Sequence, residues 1–145
     1  MYTIKTPKSL ADFKMYYALR YKVLSEPWGH PKGTEKDDFE PISEHFMAVN
    51  DQGEVIGVAK LYEKSAGMGC LSHLAVDPAH QHQGVGQLLL QAVELRARAR
   101  GFHTLGFMER VNETTYFEKR GFHIAGVPSP HLGTTHLVWL EKTLA

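Results

Sequence analysis

The clearest periodicity in the chain runs from Val85 to Arg100. Val85, Leu88, Leu89, Ala92 and Val93 recur at i, i+3, i+4, i+7 and i+8, the spacing of one buried helical face, with Gln87, Gln91, Glu94 and Arg98 on the wet side. Arg98 and Arg100 complement the C-terminal dipole and Gly101 supplies the stop. An earlier helix is expected from Thr6-Pro7, with Thr6 as cap and Leu10, Phe13, Tyr17, Tyr21 and Leu24 as its apolar stripe, ending before Pro27. A third, short helix is expected from Asn112 to Arg120, closed by Gly121. Strand-like runs lie at 45–50 and 54–62, joined as a hairpin by Asp51-Gln52-Gly53, and at 69–76, 103–108, 122–127 and 134–140, after a short first strand. Helices between neighbouring strands predict a mixed α/β domain. No period of 20–50 residues repeats. Between Ser25 and Glu44 no clean period appears. Pro27, Pro31, Pro41, Gly29 and Gly33 break it, and a loop this long in a compact domain is usually functional or mobile.

Composition narrows the function classes. The 145 residues suit a single domain, given ~100–200 residues per domain. Sixteen Lys plus Arg balance sixteen Asp plus Glu, so no basic nucleic-acid footprint exists at whole-chain level, and nucleic acid is not an expected partner. Cys70 is the only cysteine, which excludes an intrachain disulfide and favours a reducing, cytoplasmic setting. The first residues lack an apolar h-region, so no secretory signal is expected. Apolar runs of a few residues predict no membrane span. Nine histidines invite a metal reading, but His80-x-His82 finds no third ligand by spacing, so no metal is expected.

The informative stretch runs from Leu74 to Gln87: a strand end, a turn at Asp77-Pro78, and a glycine-bearing loop opening the best helix. Gln81-x-x-Gly84-x-Gly86 sits where that helix starts. The first helical N–H groups lack partners, the dipole is positive there, and glycine lets a phosphate approach the backbone. Tight helix–strand packing is the alternative reading of two glycines. Neither Gly-x-x-x-x-Gly-Lys-Ser/Thr nor a full Gly-x-Gly-x-x-Gly is present, which disfavours a P-loop NTPase or a dinucleotide-binding dehydrogenase.

Val76-Asp-Pro78 followed by Gln81-x-x-Gly84-x-Gly86 resembles the pyrophosphate-binding motif of the GNAT superfamily of acyl-CoA N-acyltransferases. Asn112 to Phe122 is similar to that family's Asn…Phe-Tyr-x-x-x-Gly-Phe segment, and the two motifs come in the right order. The resemblance implies one N-acetyltransferase domain over 1–145: a splayed, mixed six- or seven-stranded sheet flanked by about four helices. Acetyl-CoA would lie in the split between the strand ending at Val76 and the strand ending near Met108. It further implies that Leu74, Ala75 and Val76 meet the pantetheine arm and thioester. Backbone N–H groups of Gln81, His82, Gln83, Gly84, Val85, Gly86 and Gln87 would hold the pyrophosphate, with Asn112 and Phe117 on the far side. The family's thiolate-protonating Tyr falls at Phe117, with Tyr116 beside it. Adjacent helical side chains differ by ~100°, so Tyr116 is expected to face elsewhere unless the helix shifts; it is the candidate general acid, with a water, or no acid at all, as the alternatives.

The acceptor of such a transfer is a primary amine. Neutralising a Lys-like amine at pH 7 costs roughly 4.6 kcal/mol, being 3.4 units at ~1.36 each, so a proton path is required. Ser72 is a candidate to hold a water and His45 a candidate base; a satisfied strand hydroxyl and a structural histidine are the competing readings. Strict alternation puts Cys70, Ser72 and Leu74 on one face and His73 on the other. Trp28 and Glu44, in and at the end of the acidic Ser25–Glu44 loop, are candidate substrate-binding residues; the acids equally suit a solvated loop. The expected reaction is direct attack in a ternary complex. The alternative is a non-catalytic acyl-CoA-binding regulatory module. Relatives leave a homodimer open.

Overall fold

A computed structural model of the chain describes residues 1–131 and 135–144. Strand β1 (Thr3–Lys5) leads into helix α1 (Leu10–Leu24). The long loop carries two 3-10 turns, Glu26–Trp28 and Glu40–Ile42. Then come β2 (Glu44–Val49), β3 (Val55–Ser65), β4 (Met68–Val76), α2 (Val85–Ala99) and β5 (Thr104–Arg110). A single helical turn, α3 (Thr115–Glu118), precedes β6 (His123–Ile124), β7 (Ser129–His131) and β8 (Thr135–Thr143). The strands form one sheet in the order β1-β2-β3-β4-β5-β8-β6, with β7 also on β8. The pairing is antiparallel except between β4 and β5. The expected mixed α/β sheet is therefore present, with three α-helices among the described residues rather than four.

Local chemistry moved several boundaries. Ser9, not Thr6, caps α1: its hydroxyl takes the N–H of Asp12, whose carboxylate takes the N–H of Ser9 in return. Leu10 is consequently 92% exposed, and the buried stripe of α1 passes through Tyr16, Leu19 and Arg20. On α2, Leu90 is buried and Leu88 is not; Val85, Leu89, Val93 and Ala97 complete the face against β2, β3 and β4. The helix expected from Asn112 shortens to α3, preceded by a 3-10 turn at Val111–Glu113. The strand expected over 122–127 keeps only His123–Ile124, and β8 runs three residues past Leu140. The expected strand start at Thr134 lies outside the described residues.

Two cores flank the sheet. Leu61, Leu71, Leu89, Val93, Leu105 and Leu140 centre the one under α2, and Tyr16, Leu19, Met47 and Val58 the one under α1. Two features of β4 place the site. Its parallel pairing with β5 stops at Cys70↔Gly106, so the strands part beyond that point. Opposite β3, Val58 pairs with Ala75 and Lys60 with Ser72, so His73 and Leu74 together face one residue. That is a β-bulge, and His73 takes the left-handed conformation at φ 54°.

Candidate active site

The parting of β4 and β5 opens a cleft of about 1190 Å³, ample for a cofactor-sized ligand. One wall is Leu74, Ala75 and Val76; the floor of one end is the loop from His80 to Gln87. Here α2 starts without a side-chain cap, since Gly84 is the N-cap residue at φ 82°. The first intrahelical bond runs from Leu88 N–H to the Gly84 carbonyl, which leaves the N–H groups of Val85, Gly86 and Gln87 for a ligand. His82, at φ 65°, curls the loop toward the same end. His80 Nδ1 is buried on the wall of the cleft without a partner among the described residues. Uncapped N–H groups, a helix dipole and an orphan imidazole nitrogen suit an anionic group such as pyrophosphate. Gln83 stands apart from the cleft wall, its side chain held by the Tyr2 hydroxyl.

The opposite wall comes from β5 and α3. Tyr116 lines the cleft, 41% exposed, with the Arg120 guanidinium 3.5 Å from its ring centroid. Phe117 instead turns inward onto Phe107 and Phe122. The expectation that Tyr116 faces elsewhere is corrected. The segment is a 3-10 turn followed by one α turn, so its register is not that of a long helix. Asn112 lies outside the cleft, in a neighbouring hollow shared with Trp28 and Arg110. Trp28 lines both spaces and carries the Arg110 guanidinium 5.1 Å from its ring centroid.

A side cavity of about 430 Å³ adjoins the cleft and shares Leu24, His30, Leu74 and Glu109 with it. Leu71, Ser72, His73 and Leu74 all line it, because the bulge breaks the alternation that was expected to send His73 to the other face. Ser72 Oγ lies 2.7 Å from His73 Nδ1. Burial, then the charges of Arg20 and Lys60, pull the His73 pKa down to about 4, so the ring is neutral near pH 7. Glu109 stands at the junction of the two spaces. Burial pushes its carboxyl above the usual range, and one oxygen takes the N–H of Arg110 at 2.8 Å.

Behind this cavity sits a buried ionic network. Arg20 of α1 and Lys60 of β3 are both fully buried. Glu40 bridges them, 2.9 Å from Arg20 Nη1 and 2.7 Å from Lys60 Nζ, and Asp37 also bonds Lys60. Burial pushes the Glu40 carboxyl up, but Lys60, the Asp37 N–H and Arg20 together hold it well below the usual range. The loop's acids therefore divide: Asp37 and Glu40 neutralise interior cations, and Glu44 bonds Arg96 and Arg100 beside α2, outside both cavities. His45 belongs to the network too, with Nδ1 2.8 Å from the Tyr16 hydroxyl and Nε2 3.1 Å from the Glu40 carbonyl, and it lines neither cavity. Burial lowers its pKa.

Of the expected cofactor residues, Leu74–Val76 and the 81–87 loop except Gln83 line the cleft. Sequence reasoning passes over Glu109 and the arrival of His73. A carboxylate at the end of an apolar strand was the available signal for Glu109; nothing in the local pattern announces a bulge.

Comparison with known proteins accords with this geometry. An amino-acid acetyltransferase of Pseudomonas fluorescens is 39% identical over 85 residues, 58% of this chain and 19% of that protein, so the chain spans about a fifth of the length of such curated relatives. The fold matches an acyl-CoA N-acyltransferase from Pseudomonas aeruginosa with a TM-score of 0.84 and 17% identity, over 98% of both chains. An aminoglycoside 6'-N-acetyltransferase solved with coenzyme A superposes with a TM-score of 0.79 and 17% identity, over 99% of this chain and 97% of that one. The profile of the acetyltransferase (GNAT) family matches residues 13–122, and the chain belongs to that family.

Proposed function

We propose that the chain is an N-acetyltransferase that moves an acetyl group from acetyl-CoA to a primary amine by direct attack. The observation that carries this reading is the meeting of two cavities at Leu74 and Glu109, where the sheet parts. The cleft would hold acetyl-CoA, with its pyrophosphate on the N–H groups of Val85, Gly86 and Gln87 and its arm along Leu74–Val76. The side cavity would hold the amine. Acetyl-CoA supplies the activated thioester; the chain supplies orientation and a proton path.

Glu109 is the proposed proton acceptor. Its raised pKa brings it closer to working pH, and its place at the junction puts it beside an incoming amine. Ser72 and His73 would order the water that completes the path. Tyr116, on the cleft wall, is the proposed donor to the leaving thiolate. The parted strand leaves N–H groups of β4 near Leu74 to polarise the thioester carbonyl. Partners on this reading are acetyl-CoA and an amine, in one domain, with no role for nucleic acid, a membrane or a metal. Asp37, Glu40 and His73 lie close enough to hold an ion, but Lys60 already bonds both carboxylates.

Phe117 at the family's Tyr position favours a second reading, a non-catalytic acyl-CoA-binding module. Thiol release from acetyl-CoA against an amine panel, with CoA binding by calorimetry, separates them. The acetyltransferase reading expects amine-dependent thiol release. CoA binding with no release on any amine supports the module, and absence of CoA binding overturns both.

A further inference from the structure

The side cavity has a charge pattern of its own. Its apolar walls include Leu24, Leu71 and Phe107, and the only Asp, Glu, Lys or Arg residues on its described lining are Glu35 and Glu109. Glu35 is only 8% exposed. Its Oε1 takes the N–H of Gly33 at 2.7 Å, and Oε2 takes no hydrogen bond among the described residues. Among the described residues no Lys or Arg pairs with its carboxylate. Arg20, the nearest guanidinium bonded to this residue, reaches only its backbone carbonyl at 3.1 Å, and gives its charge to Glu40. Oε2 is not among the solvent-shielded unpartnered atoms, so it stays open as an acceptor for a ligand's cation. Glu109 lines both spaces, whereas Glu35 lines the side cavity and not the cleft, so one carboxylate stands at the junction and the other away from it.

We infer that the acceptor is a molecule with two amines joined by an apolar linker, one reacting at Glu109 and the other held as an ammonium by Glu35. This rests on the acetyl-transfer reading above. The linker lies against the leucine and phenylalanine walls. Transfer forms the N–C bond as the C–S bond breaks. Of the two protons the reacting ammonium loses, one passes to Glu109 and on to solvent, the other to the departing thiolate. The product keeps one cation. Turned end for end, it would set a neutral amide against Glu35 and leave that carboxylate unpaired, so a single acetylation is the expected outcome.

The test compares α,ω-diamines of three to six carbons with the monoamines of equal length, reading thiol release and product mass. The best diamine should exceed its monoamine in kcat/KM by at least tenfold, and its product should carry one acetyl group. In Glu35→Gln, which keeps the acceptor for the Gly33 N–H, that ratio should fall toward one. Glu35→Asp, which keeps the charge on a shorter stem, should keep the preference and move it to a longer diamine. Equal use of monoamines and diamines by the unaltered chain overturns the diamine inference while leaving acetyl transfer intact. A ratio unchanged in Glu35→Gln overturns the role of Glu35. CoA binding with no thiol release from any amine overturns the acetyl-transfer reading and the inference with it.

Discussion

Tyr116 lines the cleft, whereas its neighbour Phe117 packs on Phe107 and Phe122 and borders the side cavity instead. If Tyr116 gives its proton to the thiolate, Tyr116→Phe should lower kcat by about a hundredfold and leave the KM for acetyl-CoA nearly unchanged, at the low end of what a general acid supplies because a thiolate leaves readily. Glu109→Gln should lower kcat/KM by about a hundredfold near pH 7. That loss should shrink as pH rises and the amine arrives already neutral, which a pH–rate profile reads directly. Neither role follows from residue type alone. Adjacency in sequence separates two side chains by a rotation, and only the shortened helical turn set which of them faces the ligand space.

At the scale of elements, the site is a product of interrupted pairing. β4 pairs with β5 for three residues and then leaves it, and the bulge at His73 and Leu74 turns both toward the gap. The network of Arg20, Glu40, Asp37 and Lys60 ties α1, the long loop and β3 together behind that gap. Lys60→Met leaves Glu40 with Arg20 alone and Asp37 without its cation, so it should cost about 3 kcal/mol, a fall in Tm of about 10 °C on thermal melting. Gly84 is needed for its left-handed backbone, and its Cβ would meet nothing, so Gly84→Ala should act through strain of about 1–2 kcal/mol and weaken CoA binding by calorimetry. The glycine-bearing loop and the periodicity of α2 were legible in sequence because both are local. The ion pairs were not: they join positions 20 to 23 residues apart, and the acids of the loop read equally well as solvated.

Across the whole molecule, three of the buried groups push stability the same way with pH. His73 has its pKa lowered to about 4, and His45 and Glu40 are lowered too. Each binds more protons unfolded than folded as the medium is acidified, so each contributes stability above its unfolded pKa that is lost as pH falls. For His73 the window runs from about 6.5 down to about 4. Glu109, with a raised pKa, works in the opposite sense, losing stability as pH rises through the carboxylate range. Glu40 acts only below about pH 4.5, so between pH 7 and pH 4 the two histidines work against Glu109 and Tm is predicted to decline, measured at fixed ionic strength. A Tm that holds or rises over that range would contradict the neutral burial of His73.

The strand and helix alternation, the glycine-bearing start of α2 and the family resemblance were all readable from the sequence, since each rests on residues close together in the chain. The tertiary structure decided where β4 and β5 part, which face His73 presents, that Glu109 stands between two cavities, and which acids are spent on Arg20 and Lys60. Those outcomes depend on register and on charges brought together from distant segments. A period read along one segment carries no information about where its pairing with another will break.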